Sequence, residues 1–283
     1  MKQSLVIISI ILLGFKTLAL VGSVAALDEG ESRIGLEAQS EGGKIEPNEN
    51  RASFQDADIK VNRLRYSYGI GDYSALLSTN LNIEYGQFSS NEERVGANVF
   101  YPSDSGSYVS LGISAELIHD ANRLFGVYIN ATPNSSYNEK KFSNPRIDKF
   151  SFGINSSFNI SESVFQKSLI HYGSGDGQDQ NSYVAVDTGF GFRLNKLVNF
   201  PLVLSSSLFL EADLKDRFDS SYDAVFSAPG ETDRIRAFKY GTLLGISAEV
   251  TDEISVSFDY LQKLGGYDAR STQISKLGVG YKF

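Results

Sequence analysis

The chain has 283 residues, with 26 Lys and Arg against 34 Asp and Glu, and no Cys or Trp. Without Cys there is no disulfide, zinc-thiolate site or thiol nucleophile, and an oxidising compartment poses no hazard. The net charge of −8 argues against nucleic acid or an anionic membrane surface as a partner.

Met1 to Ala26 reads as a secretory signal peptide. Lys2 is the positive start, Leu5 to Phe15 is apolar apart from Ser9 and Gly14, and Val24-Ala25-Ala26 offers small residues for cleavage. The run is too short for a membrane-spanning helix, which needs about 20 apolar residues. An uncleaved inner-membrane anchor is the alternative, and Lys16 breaks its span. Removing residues 1–26 takes away Lys2 and Lys16, leaving 24 bases against 34 acids, or −10. Residues 27–57 are rich in Glu, Gly, Asn and Gln with little periodicity, and are expected to be a flexible acidic periplasmic segment. A plug folded into a barrel lumen is the second reading for this stretch.

From Ile59 onward, twelve strand-like runs follow, each alternating apolar and small or polar residues. They are Ile59–Tyr68, Ala75–Phe88, Val95–Tyr101, Tyr108–Ile118, Leu124–Thr132, Ile147–Ile160, Val164–Tyr172, Ser182–Leu194, Pro201–Leu214, Ile235–Val250, Ile254–Leu264 and the terminal Thr272–Phe283. The first shifts phase between Val61 and Leu64, which suggests a bulge. Both faces of Val164–Tyr172 are mixed. Runs of 9–11 residues suit a tilted transmembrane strand and exceed the usual soluble one.

Short connections (Ser89–Glu93, His119–Asn122, Ser161–Ser163, Asn195–Asn199, Thr251–Glu253) alternate with a more variable set (Ser103–Ser107, Pro133–Arg146, Gly173–Asn181, Lys215–Asp233, Gly265–Ser271). Gly69–Ser74 is the one short member of the second set. Tight turns at one end and longer loops at the other are the habit of bacterial barrels, and an even strand count puts both chain ends on the periplasmic side.

At the C-terminus, Leu277, Val279, Tyr281 and Phe283 alternate with Gly278, Gly280 and Lys282, and the chain stops on Phe283. As a free edge this would be sticky; in a closed barrel it pairs with the first strand. The stretch resembles the C-terminal assembly signal of Gram-negative outer-membrane β-barrel proteins. That resemblance implies an outer-membrane location, periplasmic chaperones and the barrel-assembly machinery during biogenesis, and contact with lipid and lipopolysaccharide. The fold expected is all-β: a single antiparallel up-and-down barrel over residues 58–283, of about twelve strands, with ten to fourteen allowed. Tyr66, Tyr68, Tyr85, Phe88, Tyr101, Tyr108, Tyr172, Tyr260 and Tyr281 fall near strand ends, where interface girdles belong.

On these phases the inward face carries Arg65, Glu84, Glu116, Asp187, Arg193, Glu211, Asp213, Arg236, Lys239, Glu249, Asp259, Lys263 and Lys282. A Lys or Arg facing lipid at mid-depth would cost about 2–4 kcal/mol, so the phase assignment is also an energetic statement. The leading reading is a narrow polar channel for passive or weakly selective diffusion of small polar solutes. The alternative is that these charges pair across a small lumen and close it, leaving a structural barrel whose loops Pro133–Arg146 and Lys215–Asp233 contact other cells or ligands. Twelve strands lie between filled eight-stranded barrels and open porins, so size does not choose.

Enzymatic function is not expected. His119 falls in a turn; His171 meets a loop bearing Ser174, Asp176 and Asp179, as a surface hydrolase would need, yet matches no motif of that chemistry. No cofactor or metal is expected either. Gly173–Asp179 and Asp216, Asp219 and Asp223 resemble calcium-binding turns without the EF-hand pattern. Four Asn-x-Ser/Thr sites, at Asn130, Asn134, Asn155 and Asn159, carry no weight in a bacterial protein.

Overall fold

The computed structural model describes residues 27–45, 54–73, 76–95, 100–120, 122–136, 147–174, 182–195, 198, 200–214, 217–218, 234–235, 238–267 and 273–283. They form fourteen strands: β1 (Ser32–Ile45), β2 (Phe54–Tyr73), β3 (Leu76–Val95), β4 (Phe100–His119), β5 (Arg123–Ser136), β6 (Phe150–Asn159), β7 (Val164–Ser174), β8 (Tyr183–Arg193), β9 (Leu202–Asp213), β10 (Arg217–Phe218), β11 (Arg234–Ile235), β12 (Phe238–Glu249), β13 (Ile254–Tyr267) and β14 (Gln273–Lys282). Twelve of them close an antiparallel up-and-down barrel in chain order. β9 pairs directly with β12, and β10 and β11 form a separate two-stranded ladder in the connection between them. Closure joins β1 to β14 from Arg33↔Lys282 to Gly42↔Gln273. Paired bonds between Ser32 and Phe283 finish the seam, each amide donating to the other's carbonyl at 2.9 Å.

The expected count of twelve was reached by a different partition of the chain. The first barrel strand, β1, lies inside the stretch expected to be flexible, so the barrel begins at Ser32 and not at residue 58. Val95 ends β3, and the run's last residues, Phe100 and Tyr101, lie in one strand, β4, with the run Tyr108–Ile118, because Ser105, Gly106 and Ser107 pair with Ser89, Phe88 and Gln87 of β3 despite their low strand propensity. Ser89–Glu93 and Ser103–Ser107 are therefore strand interiors. Gly69–Ser74 moves to the other end: β2 ends at Tyr73 and β3 starts at Leu76 on the rim that holds Ser32 and Phe283. This terminal rim also carries the connections at 120–122, 160–163, 194–201 and 250–253.

Outward residues form an uncharged apolar belt: Leu36 on β1, Leu64 on β2, Ile83 on β3, Ile113 on β4, Ile129 on β5, Phe152 on β6, Ile170 on β7, Phe190 on β8, Leu208 on β9, Leu244 on β12, Phe258 on β13 and Val279 on β14 are all exposed. Leu277, Val279, Tyr281 and Phe283 all face outward, as their alternation predicts. Tyr66, Tyr68 and Tyr281 are exposed near the terminal rim, but Phe88 and Tyr108 are buried inside, and the Tyr101 side chain lies outside the described residues.

The Val61–Leu64 phase shift is no bulge, since β1 and β2 pair without interruption from Ser32↔Tyr68 to Ile45↔Gln55. Each of β2, β3 and β4 is 20 residues long. At about 3.4 Å per residue that is some twice the length of a membrane-spanning strand. Toward the opposite rim the polarity of β2 inverts. Asp58, Lys60 and Asn62 are exposed outside, while Ile59 and Val61 pack inside with Phe88, Tyr108 and Ile147. The sheet there faces water outside and its own small core within.

Candidate functional site: the lumen

Inward glycines make room for inward aromatics on the next strand. An added Cβ on Gly86 would meet the Tyr108 ring at 2.2 Å, one on Gly153 the Tyr128 ring at 2.3 Å, and one on Gly191 the Phe165 ring at 2.1 Å. Gly therefore alternates with ring-bearing positions across the wall, as close backbone approach requires. Two of these rings, Tyr108 and Tyr128, carry hydroxyls that anchor an arginine and a histidine of the lumen.

On β1–β4 the lumen wall is a closed ion-pair lattice. Arg63 donates from Nη1 to Glu37 Oε1 at 2.6 Å and to Gln39 Oε1 at 2.7 Å, and from Nε to the Tyr108 hydroxyl at 2.8 Å. That hydroxyl donates to Glu84 Oε1 at 2.7 Å. Arg65 donates to Glu37 Oε2 at 2.9 Å and also to Glu84. Two guanidiniums and two carboxylates thus neutralise one another, with Arg63 only 8% exposed. Buried charges are tolerable only when paired and hydrogen-bonded in this way.

Toward the opposite rim, His171 of β7 is held from both ring nitrogens. Nδ1 lies 2.6 Å from the Tyr128 hydroxyl; Nε2 lies 3.1 Å from Asp148 Oδ2 and 2.9 Å from the Tyr183 hydroxyl, which donates to Asp148 at 3.0 Å. Asp148 and its neighbour Ile147 precede β6. Ile147 packs against the β2–β4 core while Asp148 binds β7 and β8, so two adjacent residues tie different walls together across the lumen. Ser174 shares the phase of Ile170 and Tyr172, on the barrel exterior, and among the described residues His171 bonds Tyr128, Asp148 and Tyr183. Asp176 and Asp179 lie outside the described residues.

The wall from β7 through β9, β12 and β13 is different. Lys167, Asp187, Ser205, Ser207, Ser247 and Asp259 are buried and inward, and each has a side-chain polar atom without a hydrogen-bond partner. Just beyond them, toward the opposite rim, Phe209, Leu243 and Leu261 form an apolar layer with Ile274.

Of the residues expected to line a lumen, Arg65 and Glu84 belong to the lattice, and Asp187 and Asp259 to the unpartnered wall. Glu211 and Lys239 pair at 3.1 Å, on the inward phase. Arg193 donates to Asn159 Oδ1 at 2.7 Å and to the Glu162 carbonyl at 3.2 Å, and stacks over Phe165. Asp213 is buried, and Glu249 and Lys263 keep the inward phases of Ser247 and Leu261. Glu116 sits near the terminal rim, buried, with His119 Nδ1 at 2.7 Å, so His119 is a bonded partner and not a solvated turn residue. Lys282 donates to Glu31 at 3.1 Å. Arg236 lies outside the described residues.

Sequence reasoning missed Glu37, Arg63, Tyr108, Tyr128, Asp148 and Lys167. The mixed faces of β7 were the available signal for Lys167: its apolar neighbours Phe165 and Leu169 point inward with it.

Residues 27–31 pack against the terminal rim. Leu27 is buried and its amide donates to Asn80 Oδ1 at 3.1 Å. Gly30, at φ +82°, donates to the Gly69 carbonyl, and a Cβ on Gly69 would collide with the Asp28 carbonyl. Glu31 accepts from the Asp28 amide and from Lys282. Burial pushes its carboxyl up, but these two partners outweigh that and hold it below the ordinary range.

No known family model and no characterised protein matches the sequence. Solved structures do match the fold. An outer membrane channel from Pseudomonas putida F1 superposes with a TM-score of 0.64 at 12% identity, covering 91% of this chain and 97% of that one. The chain shares its fold with an outer-membrane channel. The transport unit of the autotransporter AIDA-I from Escherichia coli aligns at a TM-score of 0.53 and 8% identity, over 97% of each chain.

Proposed function

We propose that this chain is a Gram-negative outer-membrane barrel whose lumen is a narrow polar channel for passive or weakly selective diffusion of small solutes. The carrying observation is the sorting of its wall. The outer belt is apolar and uncharged, while charges of both signs sit inside a closed barrel. The channel reading rests further on the unpartnered polar wall of β7–β9, β12 and β13. Buried donors and acceptors without protein partners call for water or solute beside them. The resemblance of the final strand to the assembly signal supports export through a signal peptide cleaved near Ala26, with lipid, lipopolysaccharide and the assembly machinery as partners. No catalytic role is assigned to His171.

Single-channel recording in planar bilayers tests this: steady ohmic steps are expected, and silence would overturn it. Lys239→Glu should shift ion selectivity if the Glu211–Lys239 pair faces the permeation path. A second reading, a closed barrel acting through its loops, draws on the ion-pair lattice, which fills the β1–β4 side of the lumen. The loops it needs, Pro133–Arg146 and Lys215–Asp233, lie almost wholly outside the described residues.

A further inference from the structure

The five residues ahead of β1 form a tight turn fastened to two other strands. Leu27 is buried, and its nitrogen donates to Asn80 Oδ1 of β3 at 3.1 Å. The Gly30 amide donates to the Gly69 carbonyl of β2, and the Gly69 amide donates back to the Glu31 carbonyl, each at 2.9 Å. Inside the turn, the Glu31 amide donates to the Asp28 carbonyl and the Asp28 amide to the Glu31 carboxylate, both at 3.0 Å. Two glycines of β2 clear the space. A Cβ on Gly69 would collide with the Asp28 carbonyl and press on Leu27 Cβ, and one on Gly71 would press on the Glu29 side chain at 3.0 Å. The place taken by Leu27 is thus shaped by residues 42 to 53 positions away in the chain.

The same residue follows Val24-Ala25-Ala26, the small residues that a signal peptidase accepts ahead of its cut. Hydrolysis of the Ala26–Leu27 bond consumes one water. Ala26 leaves as a carboxylate, and the Leu27 nitrogen keeps the pair of electrons and becomes a primary ammonium. One donor becomes three, and the bond to Asn80 becomes charge-assisted, roughly twice as strong as a neutral one. The corner is acidic. Asp28, Glu29 and Glu31 follow the junction, Glu249 faces Arg33, and Arg33 and Lys282 are the bases within electrostatic reach of Glu31. Capture of an N-terminal amine by fixed acceptors is a recurring mode of recognition. The turn also adjoins the seam of the barrel: Ser32 and Phe283 exchange backbone bonds, and Lys282 donates to Glu31 at 3.1 Å.

We propose that the leader is cut between Ala26 and Leu27, and that the ammonium so formed is a structural anchor, seated on Asn80 Oδ1, which braces the start of β1 where the barrel closes. Leu27 is buried once seated, so the cut precedes folding of this rim, because a protease needs its bond exposed and extended. The proposal rests on the export reading and deepens it by giving the cleavage a position and its new terminus a task.

The first test is intact mass and N-terminal sequencing of the protein extracted from outer membranes, where Leu27 is expected as the first residue. A different first residue overturns the anchor and leaves export standing; a leader retained on protein in the inner membrane removes both. The second test is acetylation by an activated ester at pH 6.5, where Lys stays protonated and the terminal amine reacts. Mass analysis of the tryptic peptide 27–33 reads the rate. Labelling is expected to be at least tenfold slower in the folded barrel than in urea, and fast in folded Asn80→Ala. Equal rates in folded and unfolded protein, or no gain in Asn80→Ala, overturn the anchor. Cold and heated electrophoretic mobility confirms that each variant has folded. Asn80→Asp separates an ammonium from an amide at this place. With a free terminus its urea midpoint should match or exceed that of the native protein, and after acetylation in urea and refolding it should fall below that of the acetylated native protein. A shift that is the same with and without the acetyl group overturns the proposal.

Discussion

Removing Arg63 tests whether the β1–β4 lattice stabilises the barrel. Its guanidinium makes three hydrogen bonds, to Glu37, Gln39 and Tyr108, and lies 3.5 Å from Glu84. In Arg63→Met the aliphatic stem is kept, but Glu37 retains Arg65 as its one ion pair within 4 Å among the described residues, and Tyr108 loses one of its two partners. Breaking a buried pair while leaving one charge in place costs about 3–5 kcal/mol. Replacing both partners by apolar groups of similar volume is often close to neutral. The double variant Arg63→Met/Glu37→Met should therefore recover much of the loss, with Arg65 still matched by Glu84. Reversible urea unfolding of the barrel in lipid vesicles gives both values and their coupling energy. A single substitution costing less than about 1 kcal/mol, or a double variant equal to the sum of the singles, would refute the reasoning, because these residues would then sit in bulk-like water.

Other positions yield sharper contrasts. Leu208→Arg, in the middle of β9 at 63% exposed, should cost about 2–4 kcal/mol in vesicles, while Asn62→Arg, outward but beyond the belt, should change stability by under about 0.5 kcal/mol. Equal costs in the same urea titration would contradict the inversion of polarity along β2. The Glu31 carboxyl is held below its unfolded value, so its contribution is present above the ordinary Glu pKa of about 4.3 and is lost as pH falls through the lower folded value. The protection factor of the Gly30 amide should fall across that acid window in the native protein and be low at every pH in Glu31→Gln; identical profiles would refute it. Asp148→Asn weakens the tie from the β6 entry to His171 and Tyr183, so conductance should rise and become noisier. An unchanged trace would show that Ile147 alone holds the segment across the lumen.

The closed barrel was legible because its outward positions in the belt are strictly apolar. Phe150, Phe152, Ile154 and Phe158 alternate with Ser151, Gly153, Asn155 and Ser157, and all four apolar residues are exposed. Beyond that belt the pattern faded. β1 was hidden because its lumen face is Glu37, Gln39 and Glu41 and its outer face ends in Ala38 and Ser40, a composition shared with flexible segments. β4 was divided because Pro102 to Gly106 carry no strand signal, and their ladder partners are fifteen or so residues away on β3. Ile59 and Val61 obeyed alternation but answered to an internal core, so an inversion of environment looked like a bulge. The lumen itself was only half legible. Residue phase places Arg65 and Glu84 inside, but no local pattern reveals that Arg63 meets Glu37 across 26 positions of chain.

The absence of Trp from the chain allows a direct measurement of which side faces hydrocarbon. Leu208 and Phe209 are adjacent on β9, the first exposed on the belt and the second 4% exposed on the lumen side. A single Trp at each position, in vesicles containing lipids brominated along their acyl chains, reports contact with the bilayer core. Strong quenching of Leu208→Trp and little quenching of Phe209→Trp is the result expected of a barrel that turns its apolar face to lipid. Quenching of Phe209→Trp above Leu208→Trp, or of neither, would contradict it.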